Sequence, residues 1–139
     1  MKKNILFLCT GNSCRSQMAE GFARRYMNSS FVISSGGVEA HGLNPRAVES
    51  MDEVGIDIRG QDSSALSVNE INSYDLVVTL CGDARDRCPN LGSSSSHIHW
   101  DIEDPAKYND DKDYLNHFRR VRDEIENRIK DLMINKESC

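Results

Sequence analysis

"NILFLCTGNSCRSQMAEGFARRYM", residues 4–27, joins an apolar run to an amphipathic one through a polar loop. Asn4–Leu8 is short and apolar throughout after its first residue, the mark of a strand buried on both faces. From Ser16 to Met27, Met18, Phe22, Ala23 and Tyr26/Met27 recur at helical spacing. Between them lies "CTGNSCRS", residues 9–16, with no large apolar residue, a thiol at its head and a guanidinium six positions on. A strand that passes straight into a helix through such a loop is the opening unit of an α/β fold.

The remainder of the chain repeats that alternation. Phe31–Ser34 reads as a second strand, stopped by Gly36 and Gly37. "NPRAVESMDEVG" opens a helix, with Asn44 as N-cap, Pro45 at the first helical position and Gly55 at the end. Ala47, Val48, Met51 and Val54 give it one apolar face. Ser64–Asn72 is a short helix or turn. "YDLVVTL", residues 74–80, is the third strand, and Ile98–Trp100 a fourth. Tyr114–Met133 is a helix with a stripe of Phe118, Val121, Ile125, Ile129 and Leu132. Arg119, Arg122, Asp123, Glu126 and Arg128 are expected away from that stripe. The expected fold class is therefore α/β, a four-stranded parallel sheet flanked by helices on both faces. Ligands of such sheets bind beyond the carboxyl ends of the strands. Cys9 ends the first strand and Cys81 the third, so both thiols are expected at one edge.

A chain of 139 residues suits a single domain, 1–139. The net charge of -5 excludes a nucleic-acid or anionic-membrane surface. No apolar run is long enough to span a bilayer. "MKKNILFLCTGN" is not a signal peptide, so the expected location is cytoplasmic. The cysteines are Cys9, Cys14, Cys81, Cys88 and Cys139, an odd number and no static disulfide framework. Neither close pair has zinc spacing, nor do His97 and His99, so no metal is expected. Catalytic or redox thiols are the better reading, and no cofactor is implied.

A loop turning from a strand into a helix points free N–H groups inward, where the helix dipole adds positive potential. The amides of Thr10, Gly11, Asn12, Ser13, Cys14 and Arg15 are thus the expected oxyanion-binding set. Gly11 permits the positive φ of such a curl, and Asn12 tolerates it. Arg15 adds a planar fork for two oxygens. Cys9, at the base, is favoured as thiolate, and Ser16 is placed to donate a hydrogen bond to its sulfur. A thiolate beneath an oxyanion is a nucleophile for in-line attack. Cys14 is expected to face the core. The loop lacks the lysine of a nucleotide P-loop.

"CTGNSCRSQMAEG" resembles the phosphate-binding loop of low-molecular-weight protein tyrosine phosphatases and of the arsenate reductases built on their fold. "HGLNPRAVESMDEVGIDI", "DLVVTLCGDA", "HWDIEDPA" and "FRRVRDEI" are similar to the thioredoxin-coupled arsenate reductase branch. That resemblance implies the four-stranded parallel fold. It implies Asp104, held extended by Pro105, as general acid. It also implies that Cys81 attacks Cys9 to release arsenite, and that Cys88 attacks Cys81 to leave a disulfide for thioredoxin. Arsenate is the implied substrate, with phosphate or sulfate as competing oxyanions. If 82–88 is helical when reduced, the Cα atoms of Cys81 and Cys88 lie about 10 Å apart. A disulfide needs them within about 7 Å, so that segment must partly unwind.

Asn12, Glu20 and Ser35 match positions that hold potassium in some relatives, but "QDSSALS" at 61–67 lacks the accompanying acid, and Asp62 is out of step. Glu20 is then expected to hydrogen-bond toward the loop. Tyr108 is not the tyrosine pair that phosphatases place after the acid. His41, His97, His99 and His117 read as surface or packing residues, and Cys139 as a terminal thiol. Two other readings stay open: a low-molecular-weight phosphatase with redox-sensitive thiols, and a binding module without turnover.

Overall fold

The computed structural model describes residues 3–80, 96–108 and 110–137, with side chains to 133. Strand β1 (Lys3–Cys9) leads into α1 (Arg15–Tyr26), then β2 (Phe31–Gly37), α2 (Pro45–Asp52), α3 (Val68–Asn72), β3 (Leu76–Thr79), β4 (Ser96–His99), a short 3-10 turn (Pro105–Tyr108) and α4 (Tyr114–Glu137). The four strands are parallel in the order β2-β1-β3-β4. The four parallel strands expected from the sequence are all present, with shifts of one to three residues at their ends. Among the described residues, no helix is long and apolar enough to cross a membrane.

β1 is central, with Ile5 paired to Ile33 on one side and to Leu76 on the other. Its residues alternate between two apolar layers, as the two-residue period of a strand requires. Ile5 and Phe7 face the larger layer, built from Met18, Phe22, Met51, Phe118, Val121, Ile125 and Ile129 of α1, α2 and α4. Leu6 and Leu8 face the smaller one, with Ile71 of α3 and Val77. Phe7, Phe22 and Phe118 are wholly buried, and truncating any one to alanine costs about 3–5 kcal/mol.

The helix starts follow local chemistry. The Asn44 side chain accepts from Arg46 N at 2.8 Å, with Pro45 in the first turn. Gly55, at φ 79, closes the turn after α2. The doubtful stretch 64–72 resolves into α3, capped by Ser67 and Glu70, each side chain bonding the other's backbone N–H.

Two expectations are corrected. Gly36 and Gly37 do not stop β2; they are its last residues. A Cβ on Gly37 would lie 2.7 Å from Thr10 O and 2.9 Å from Asn12 N, and would also strike Glu39 O. Gly37 lets β2 run directly beneath the loop after β1, while Gly36 makes room for the Leu66 side chain. Arg122 does not lie away from the buried stripe either. It is buried, donating from Nη1 to Ser50 O and to Glu53 Oε1, both at 2.9 Å. Because α4 packs on α1 and α2 together, a sector wider than the apolar stripe is covered. Arg122 satisfies a carbonyl at the end of α2 there. Arg119, and after it Arg122, hold the Glu53 carboxyl below its ordinary range.

Gly37→Ala forces backbone against backbone and is expected to destabilise the protein by about 1–3 kcal/mol. A urea unfolding midpoint unchanged from wild type would contradict this.

Candidate active site

The loop between β1 and α1 occupies the point where the strand order reverses, with β2 on one side of β1 and β3 on the other. Crevices at such points are the usual ligand sites of parallel sheets. Its carbonyl groups are drawn outward one after another. Cys9 O accepts from Val38 N, Thr10 O from Glu39 N, Gly11 O from His41 N, Ser13 O from Asn44 N and Cys14 O from Met18 N, at 2.9–3.3 Å. Asn12 O accepts from Gln17 Nε2 at 3.0 Å. In a trans peptide the N–H points opposite to its C=O. The N–H groups of residues 10–15 are therefore turned to the concave side. Such a concave row of donors at a helix start suits a tetrahedral anion.

The left-handed residue of this curl is Asn12, at φ 49, and not Gly11. The glycine answers a different need: a Cβ on Gly11 would lie 2.7 Å from Cγ of His41 and strike the ring. Asn12 is wholly buried. Its Nδ2 donates to Ser16 Oγ at 2.8 Å and Ser35 Oγ at 3.1 Å, and its Oδ1 accepts from Ser64 N at 2.8 Å. Ser35 Oγ donates onward to Glu20 Oε1 at 2.5 Å, and Arg24 Nε donates to Glu20 Oε2 at 2.7 Å. Glu20 thus reaches the loop through Ser35.

Arg15 is buried, and its guanidinium is pinned. Nη1 donates to Leu80 O, just past β3, at 3.2 Å and to Ile102 O, past β4, at 2.8 Å. Nη2 lies 3.6 Å from Asp104 Oδ2, while Nε is buried without a hydrogen-bond partner. Nη1 is therefore committed to protein, and the Nε/Nη2 edge is the one left for bidentate work. The Asp104 carboxyl is half-exposed, and its Oδ1 accepts from Ala106 N at 2.9 Å across Pro105.

Cys9 is buried at the end of β1. Ser16 sits in the first turn of α1, where its hydroxyl accepts from Asn12 and keeps its proton for another acceptor. Cys14 packs in the larger apolar layer, as expected, and burial pushes its thiol up to about 12. Cys81, Cys88 and Cys139 lie outside the described residues, as does the segment 82–88 whose unwinding the sequence suggests. Of the histidines, His41 covers Gly11 and pairs with Glu39 Oε1 at 2.7 Å. His97 Nε2 and His99 Nδ1 meet Thr79 Oγ1 at 2.9 and 2.7 Å. His117 stacks on Tyr108 with ring centroids 3.5 Å apart. Among the described residues, no group of three or more His, Cys, Asp or Glu is placed to hold a metal.

Residues missed from the sequence are Gln17 and Gln61. Gln17 is wholly buried in the first turn of α1, where apolar spacing carries no information about it. The one available signal is a neutral amide directly after the arginine and serine of the loop.

A profile of the family described as "Low molecular weight phosphotyrosine protein phosphatase" matches residues 4–138. An arsenate reductase of Bacillus subtilis (strain 168) is 52% identical over 130 residues, 93% of this chain and 94% of its own length. A solved structure described as an arsenate reductase in the phosphate binding state superposes with a TM-score of 0.75 at 34% identity, over 96% of this chain and 98% of its own. A Corynebacterium glutamicum thioredoxin-dependent arsenate reductase superposes with a TM-score of 0.73 at 28% identity, over 94% of this chain and 60% of its own.

With its thiol pushed up to about 12, Cys14 stays protonated near neutrality. Iodoacetamide at pH 8 is expected to leave Cys14 unlabelled in the native protein and to label it after unfolding. The raised value stabilises the fold fully below the unfolded thiol's value, about 8.5, and is lost as pH rises toward 12. Cys14→Ala should therefore lose less stability than wild type over that alkaline range. Rapid native labelling at Cys14 would show the burial to be wrong.

Proposed function

The chain belongs to the low molecular weight phosphotyrosine protein phosphatase family, and from its likeness to arsenate reductases within that fold we propose that it is an arsenate reductase whose thiols are recycled by thioredoxin. The observation that supports the reaction is the 52% identity to an arsenate reductase over 93% of this chain; the cradle, with loop carbonyls tied outward and a buried guanidinium whose Nε lacks a partner, supplies the oxyanion site. Arsenate sits with its oxygens on the amides of Thr10, Gly11, Asn12, Ser13, Cys14 and Arg15 and on the Nε/Nη2 edge of Arg15. The Cys9 sulfur attacks arsenic, and Ser16 supports it as thiolate. Asp104 gives a proton to the departing hydroxide, which leaves as water.

The adduct holds arsenic in its higher oxidation state, bonded to Cys9 sulfur. Cys81 thiolate attacks that sulfur, forming a Cys9–Cys81 disulfide. The electron pair of the sulfur–arsenic bond passes to arsenic, which departs as arsenite. Cys88 then attacks Cys81, freeing Cys9 and leaving a Cys81–Cys88 disulfide, which a thioredoxin dithiol reduces. Two thiols are oxidised for each arsenate reduced. Phosphate and sulfate compete for the cradle, since shape alone does not separate them from arsenate. The likeness to a thioredoxin-dependent arsenate reductase supports the choice of reductant. A cytoplasmic location fits a cycle that needs a reduced thiol pool.

With arsenate, thioredoxin, thioredoxin reductase and NADPH, wild type is expected to oxidise NADPH continuously. Cys9→Ser, Cys81→Ser and Cys88→Ser should each lower turnover by at least about a thousandfold. Asp104→Asn should lower kcat about 10²–10⁴-fold, the range for a lost general acid. Full turnover in Cys81→Ser or Cys88→Ser would sink the cascade. Hydrolysis of an aryl phosphate by those variants, with no arsenate turnover in wild type, would favour the phosphatase reading.

A further inference from the structure

The loop carbonyls are not all held by the same kind of group. Those of Cys9, Thr10, Gly11, Ser13 and Cys14 accept from backbone amides, whereas Asn12 O accepts from the Gln17 side chain. This carbonyl belongs to the peptide that carries the Ser13 N–H, directly after the left-handed residue at φ 49. It is the peptide of this loop whose oxygen is held by a side chain rather than by main chain, so no backbone pairing locks its rotation about ψ of Asn12 and φ of Ser13. Gln17 opposes that rotation. Its Nε2 donates to Asn12 O at 3.0 Å and to Asp62 O at 2.9 Å. Its Oε1 accepts from Gln61 Nε2 at 2.9 Å, and Gln61 Nε2 also donates to Gln17 O at 3.0 Å. Reversing the Gln17 amide would set its oxygen against two carbonyl oxygens, so the orientation is fixed on both sides.

We infer that Gln17, seated by Gln61, is a positioning residue that aims the Ser13 amide into the cradle and so sets the oxyanion affinity. It touches no substrate and acts through the Asn12–Ser13 peptide. The inference rests on the oxyanion reading of the loop given above. Loss of one hydrogen bond to a charged oxyanion weakens binding by about tenfold or more.

The test uses the reduced full chain and inorganic phosphate. Wild type, Gln17→Met and Gln61→Ala are titrated by calorimetry and by amide NMR, with unfolding midpoints measured alongside. Met keeps the length and apolar volume of Gln17 without its donor. The phosphate Kd is expected to rise about tenfold in Gln17→Met and by a smaller factor in Gln61→Ala. The phosphate-induced shift of the Ser13 amide should shrink while those of Thr10 and Gly11 persist, a local signature that general loosening would not give. If Gln17→Met fails to fold, the Gln61→Ala titration decides. Unchanged affinity in a folded variant, or an equal loss of shift at every loop amide, overturns the inference. A wild type that binds no phosphate fails the cradle reading itself, and this inference with it.

Discussion

The site depends on where consecutive peptide oxygens go. A tight loop between a buried strand and a buried helix cannot leave its carbonyls without partners, since each buried orphan costs about 1–3 kcal/mol. Here the segment after β2, the first turn of α1 and Asn44 at the N-cap of α2 supply the donors. Once the oxygens are committed outward, the hydrogens have no other direction left. The concavity is thus a by-product of satisfying the loop's acceptors. Its layering needs backbone to lie on backbone at Gly37, and a side chain, the His41 ring, to lie close over Gly11.

Charge is added to that frame by Arg15, and its cost is partly offset before any ligand arrives. Two carbonyls take up Nη1, and a carboxylate stands near Nη2. Nε remains unpaired in a buried position, which is the state in which an incoming oxyanion gains most. A cation already fixed in place loses little freedom on binding, unlike an exposed lysine.

Much of this was legible from the chain. The apolar run 5–8 gave β1, the stripe of Phe118, Val121, Ile125 and Ile129 gave α4, and Asn44-Pro45 gave the start of α2. What escaped involves contacts between elements. Glycines in a row read as a terminator, yet here one admits a leucine side chain and the next a neighbouring backbone. Arg122 reads as solvated, yet two helices cover it. Gln17 has no periodicity to betray it, because its role is defined by a carbonyl five residues back and a segment more than forty residues on. Periodicity reports which face is apolar; it does not report which polar group bridges two faces. The loop's sequence located the candidate site, while the strained dihedral falls on Asn12 and the glycine at 11 instead leaves room for the His41 ring.

The grip of Arg15 Nη1 on Leu80 O has a thermodynamic corollary. Leu80 immediately precedes Cys81 in the chain, so the guanidinium and the backbone entering that cysteine share one hydrogen bond. Equilibria that share a bond are reciprocal: whatever an occupant of the Nε edge does to the Leu80 carbonyl, displacement of that carbonyl does in equal measure to the occupant's affinity. Occupancy at one strand end and backbone position at the next are therefore two readings of a single free energy.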